Sequence, residues 1–249
     1  EPIVDVQQHR DFIRALFHRS QAGVAERRSA VKLFTTNYDT LLEDALALER
    51  CLYWDGFDGG AVAYRSFHYG QTEPDNGYRA HLVKLHGSID WHLDNDDRVW
   101  RVRDNDTYPE KNSRVLIYPQ ATKYLATQRD PFASQFDCFR RMLNSEKENV
   151  LAICGYAFRD EHINQEIKIA LQRPDNKTTI LAFSETRNDT LQSWQNEPWG
   201  RRVYVMAKDG LYVGDQGPLH SPAESTTYDW WTFTGVARLL NDGAEATIQ

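Results

Sequence analysis

Cysteine is scarce in this chain. Its 249 residues hold only Cys51, Cys138 and Cys154, set far apart and with no C-x-x-C pair. Three thiols cannot form a disulfide framework or a four-cysteine zinc site, so no metal is expected and a reducing, cytoplasmic setting is. Long hydrophobic runs are missing as well. No stretch approaches the roughly 18 apolar residues that would cross a bilayer, so no membrane partner is expected. Positive charge is in deficit: 29 Lys and Arg stand against 36 Asp and Glu, a net charge of −7. That balance argues against direct nucleic-acid binding through bulk charge. The G-x-S-x-G elbow, the H-E-x-x-H helix and the phosphate-binding P-loop signature are all absent, and no internal repeat or low-complexity linker occurs.

What is present is enough apolar material for a substantial core, with 41% hydrophobic residues and 12% aromatics. Residues 6–20 place Phe12, Ile13, Leu16 and Phe17 on one helical face. Ala30–Thr35 reads as a short buried strand, followed by a polar loop and a helix rich in leucine from Thr40, whose spacing to Glu43 fits a capping box. Residues 51–80 show no period and are expected to form an irregular lid. His81–Leu85 is a second buried strand, Trp91–Val102 a hairpin turning through Asp94–Asp97 within an insertion over 91–115, and Val115–Tyr118 another strand. A helix over Phe132–Leu143 leads into Val150–Cys154, an apolar run expected to be buried on both faces. Helix 161–172, strands Thr179–Phe183 and Arg202–Met206, and a helix near Trp230–Leu240 complete the chain. Trp230 and Trp231 are a candidate oligomer contact. The alternation of strands and helices predicts an α/β fold, three layers with a Rossmann-like, mostly parallel sheet.

In such folds ligands bind at the carboxyl ends of the strands. Three polar segments fall there: Asn37, His86 and Gly155–Asp160. Taken singly each has a structural explanation. Asn37 would make an Asx-turn, His86 would be a satisfied structural histidine, Gly155 would allow a positive-φ turn, and Asp160 would cap the next helix. The four acidic and amide residues at 94–97 lack the glycine and glutamate of a calcium loop and read as a solvated turn.

Together, TTNYDTLLE (35–43), VKLHGSIDW (83–91) and GYAFRDEHIN (155–164) resemble the signature segments of the sirtuin-like NAD-consuming domains of prokaryotic anti-phage defence systems. The resemblance runs from Val31 to Asn164. It implies that 1–249 is a single sirtuin-like α/β domain, lacking the N-terminal glycine-rich strand-turn-helix that ordinarily receives the pyrophosphate, since none precedes Asn37 and the chain opens at Glu1-Pro2-Ile3. It also implies catalytic roles for Asn37, beside the nicotinamide ribose and a water, and for His86, as general base. Thr36, Asp39, Gly87 and Ser88 would flank them in cofactor binding. Gly155, Tyr156, Phe158 and Asp160 would line the dinucleotide pocket or brace its loop.

These residue types suit cleavage of the nicotinamide–ribose bond. A carboxamide can orient water without adding charge, and an imidazole can accept a proton near neutral pH. Asp39 could stabilise the developing cation, although the helix-cap reading is preferred. The cysteine pairs that hold zinc in deacylating sirtuins are absent, which disfavours deacylation. The expected activity is therefore an NAD glycohydrolase with NAD as substrate. The alternatives are a non-catalytic NAD or ADP-ribose sensor gating a partner, or an ADP-ribosyltransferase or deacylase. A homo-oligomer, a partner ATPase, an Argonaute-like protein or a phage-sensing domain are the partners the resemblance implies.

Overall fold

The computed structural model describes residues 5–19, 30–66, 69–70, 74, 77–102, 113–117, 131–144 and 148–249. Glu1–Pro2–Ile3, the end of the expected strand at Tyr118, and parts of the expected lid and insertion lie outside the described residues. The chain divides into two compact units, Glu1–Arg10 with Gln21–Phe139, and Asp11–Ser20 with Arg140–Gln249. The N-terminal helix α1 (Gln7–Arg14), continued by a π-helical turn over Ala15–Arg19, contributes to both.

The first unit carries a parallel sheet. β1 (Val31–Thr35) precedes helix α2 (Leu41–Leu48) and strand β2 (Tyr53–Trp54), and two further short strands intervene before β5 (Ala80–Lys84). The order is β1-β5-β2, with Thr35 opposite Lys84. Central β5 is buried from end to end, whereas β1, at the sheet's edge among the described residues, is half-buried throughout rather than buried. A buried strand reading AHLVK must satisfy its polar side chains. His81 does so through the Pro74 carbonyl, 2.9 Å from Nε2, and through Lys32 at Nδ1.

The expected irregular lid is corrected by the structure. Besides β2 it supplies β3 (Phe57–Gly59) and β4 (Val62–Arg65), which join β6 (Gly87–Leu93), β7 (Val99–Val102) and β8 (Arg114–Leu116) in an antiparallel sheet of order β3-β4-β7-β6-β8. Phe57, Ala63, Trp91, Val99, Val115, Ile117 and Phe132 form its core. The β6–β7 turn is closed by Asp94, whose carboxylate accepts from the amides of Asp96 and Arg98 and from the Trp100 indole, each at 2.8 Å. Helix α3 (Phe132–Leu143) follows.

The second unit winds β9 (Asn149–Ile153), α4 (Glu161–Gln172), β10 (Thr178–Phe183), α5 (Asp189–Gln195) and β11 (Val203–Ala207) into consecutive parallel crossovers. It then adds an antiparallel hairpin, β12 (Gly210–Val213) and β13 (Gln216–Leu219), before helix α6 (Phe233–Asp242). Ile163, Ile167 and Leu171 of α4 are buried, as their helical spacing predicts. Arg202 ties this layer together, donating to the carbonyls of Leu171, Asn176 and Thr178 at 2.6, 2.8 and 3.1 Å. Strand β9 differs from expectation. Among the described residues it is the sheet's edge, and its sides alternate in burial, with Val150 61% exposed. Trp230 is buried, stacked on Tyr228, and donates its indole N–H to the Ala207 carbonyl at 2.7 Å. That removes it from any surface a second copy could meet.

Mixed α/β architecture with parallel sheet and helices is thus present, consistent with a Rossmann-like arrangement. Among the described residues the β1-β5-β2 sheet is wholly parallel and the β9–β13 sheet has two parallel and two antiparallel pairings, whereas the four pairings of the β3-β4-β7-β6-β8 sheet are all antiparallel.

Candidate functional site

In the first unit, the register pair Thr35 and Lys84 ends the neighbouring parallel strands β1 and β5. Asn37 and His86 each follow two residues later. Both therefore leave the same carboxyl edge of one sheet, on adjacent strands. The Leu85 amide still donates to the Thr35 carbonyl at 2.8 Å, so the two chains stay together beyond the last paired residues. His86 is recessed, 4% exposed, and its carbonyl accepts from the Ile117 amide at 2.9 Å. Asn37 is exposed, and its amide donates to Thr35 Oγ1 at 3.0 Å. The edge thus offers an accessible carboxamide and a recessed imidazole.

Gly87 has a local reason for being glycine. Its φ is +84°, and a Cβ there would lie 2.1 Å from the Val115 carbonyl oxygen, which belongs to the strand paired with it. Ser88 is fully buried and donates from Oγ to the Tyr38 carbonyl at 3.2 Å; the Ile89 amide donates to the same oxygen at 2.9 Å. The start of β6 therefore grips the loop after β1. Tyr38 returns the contact through its hydroxyl, which donates to the Ile117 carbonyl.

Beneath this loop lies a buried charge cluster. Lys84 donates to the carbonyls of Tyr38, at 3.4 Å, and of Asp39, and forms an ion pair with Glu43 Oε1 at 3.1 Å. Burial pushes the Glu43 carboxyl above the ordinary range, and the nearby Lys84 charge only partly offsets it. Engaging Glu43 this way undoes the expected capping box: Thr40 makes no side-chain cap, and its hydroxyl instead donates to Asp44 at 3.4 Å. Asp39 takes the turn-forming role, accepting from the Leu41 amide at 3.1 Å. Thr36 lies in the same loop, half-buried. His9 stands close enough to Asp39 for that carboxylate to raise its pKa, although burial lowers it more. Sequence reasoning missed His9 and Lys84, and gave Glu43 only a capping-box role. A lysine inside an otherwise apolar strand was the available signal for Lys84.

In the second unit, β9 ends at Ile153 and the chain turns at Gly155, φ +66°, where a Cβ would meet no described atom within 4 Å. Phe158 is buried with φ +57°. Asn164 supports that unfavourable conformation, its Nδ2 donating to the Phe158 carbonyl at 2.8 Å. The Tyr156 hydroxyl contacts Asn164 Oδ1 at 3.1 Å and the Asp160 carbonyl at 3.0 Å, and burial, then Asp160, drives its pKa upward. Asp160 occupies the N-cap position of α4 but makes no side-chain cap. Its carbonyl serves instead, accepting from Asn164 N at 3.0 Å. Aromatic packing by Tyr156, Phe158 and Trp194 braces the loop.

In each unit a polar segment follows the carboxyl end of a parallel strand, which is where α/β proteins bind their ligands. The SIR2-like domain model matches residues 31–203, and the chain belongs to that family, whose members use NAD. No curated protein matches the chain.

Proposed function

We propose that this chain is an NAD glycohydrolase, converting NAD and water to nicotinamide, ADP-ribose and a proton. The observation that supports this most is the matched placement of Asn37 and His86 on neighbouring parallel strands within a SIR2-like chain. As nicotinamide leaves, positive charge develops on the ribose, and a positioned water suffices as nucleophile. Asn37 orients that water or the ribose by donating and accepting hydrogen bonds without adding charge. His86 accepts the proton from a ribose hydroxyl or from the water. The turn from Gly155 to Asp160 is assigned to the dinucleotide, with Gly155 leaving room for close approach. Ser88 and Asp39, both engaged with the backbone of the Asn37 loop, serve by shaping it.

The physiological role proposed, on the resemblance to defence-associated domains, is NAD depletion in response to a trigger, within a homo-oligomer or beside a partner sensor. The deciding experiment incubates the full-length protein with NAD, alone and with candidate partners, and measures free nicotinamide. NAD binding without nicotinamide release under every condition would leave the sensor reading standing and end the glycohydrolase one.

A further inference from the structure

Lys84 does no chemistry in the hydrolysis proposed above, yet it is a charged side chain 2% exposed at the end of the central strand β5. Burying an ammonium is unfavourable unless it is paired and hydrogen-bonded, and an aliphatic residue would fill this site at lower cost. Its three acceptors indicate what the charge is for. One is Glu43; the other two are the consecutive carbonyls of Tyr38 and Asp39, the residues directly after Asn37. A lysine offers three donors and no acceptor, which matches this set. The Tyr38 carbonyl also receives Ser88 Oγ and the Ile89 amide, both from the strand that begins immediately after His86. The loop bearing Asn37 is therefore held from below by the residue two before His86 and from the side by residues two and three after it.

We infer that Lys84 is a positioning residue, which fixes the exposed Asn37 carboxamide relative to His86 by clamping the Tyr38–Asp39 carbonyls onto the strand that ends in His86. This rests on the glycohydrolase reading for its catalytic consequence, though not for its structural one. Lys84→Met keeps the length of the stem and removes the donors. In the full-length protein it should lower kcat for nicotinamide release by about 100-fold, the scale of loss when a reacting group is misplaced by an ångström, with KM shifted by less than about 3-fold. In an Asn37→Ala background the same change should cost less than about 2-fold further, because the group being positioned is gone. A merely structural lysine would give equal losses in both backgrounds, and that result overturns the inference.

Backbone hydrogen exchange supplies the arm that does not depend on turnover. Amides of residues 38–41 should exchange faster in Lys84→Met while those of α4 are unchanged. Unchanged exchange at 38–41 overturns the inference whatever the kinetics show. Should Lys84→Met not fold, Ser88→Ala removes another donor to the Tyr38 carbonyl and must give the same two signatures at smaller amplitude; their absence is equally fatal. A parent protein that releases no nicotinamide refutes the glycohydrolase reading, and the exchange result then decides the clamp alone.

Discussion

Asn37 and His86 each stand two residues past Thr35 and Lys84, the register partners that end β1 and β5. Parallel pairing makes this more than coincidence of sequence. Thr35 and Lys84 lie side by side in the parallel register, so the two distant positions follow from one sheet edge.

Replacing His86 by alanine should lower nicotinamide release by about 10²–10⁴, the usual contribution of a general base. Asn37→Ala should lose a comparable factor. Both variants should bind NAD within a few-fold of the parent by calorimetry. Parent-like turnover in both variants would remove these residues from the mechanism.

Two glycines with positive φ should respond differently to alanine. Gly87→Ala adds a clash with the Val115 carbonyl to the backbone penalty and should destabilise by about 2–5 kcal/mol in urea unfolding. Gly155→Ala meets only the backbone penalty, about 1–2 kcal/mol, because its Cβ would point into open space among the described residues. It should nevertheless raise KM for NAD, if that space receives the dinucleotide. Equal stability losses would contradict this assignment of causes.

Glu43 predicts a pH signature. Burial holds its carboxyl above the ordinary value of 4.5 despite Lys84, so the native state keeps the proton to higher pH than the unfolded chain. The stability this contributes is full below pH 4.5 and is lost as pH rises through the native value. Relative to Glu43→Gln, the parent should therefore lose stability as pH is raised from 4.5 towards neutrality. A gain over that range would show that the ion pair outweighs desolvation.

Asn164→Ala should destabilise the second unit by about 1–3 kcal/mol, since it strips the Phe158 carbonyl and the Tyr156 hydroxyl of a partner at once. Thermal unfolding followed by tryptophan fluorescence would report it through Trp194, whose ring meets Phe158 edge-on.

Strands and helices of five or more residues with an apolar run or a clear period were legible in the sequence, among them β5, α4 and β10. Of those of two to four residues, β7 and β8 were legible as a hairpin arm and a short apolar run, but β2, β3 and β4 are too short to show a period, and β12 and β13 are broken by Gly210, Gly214 and Gly217. The short helix α5 did leave a signal in Asn188, whose side chain accepts from the Leu191 amide at 3.0 Å. β9 misled because its exposed side carries Val150 and Ala152 while the other carries Leu151 and Ile153, so both sides are largely apolar. The loop motifs stood out only together, as three segments whose order and spacing resemble a family signature; singly each had a structural explanation. The clamp beneath them did not stand out, since nothing local couples Lys84 to carbonyls in the loop after β1.

The antiparallel sheet of the first unit takes β3 and β4 from before His86 and β6, β7 and β8 from after it, with Val62 paired to Val102. His86 is therefore enclosed by a loop that closes late. A ribosome-bound chain halted short of β7 leaves β4 paired with β3 alone, and the turn at His86 has no Ile117 amide to hold its carbonyl until the residue after β8 has emerged. Such non-local closure is slow to form. During synthesis the imidazole's surroundings are completed only after most of the unit exists.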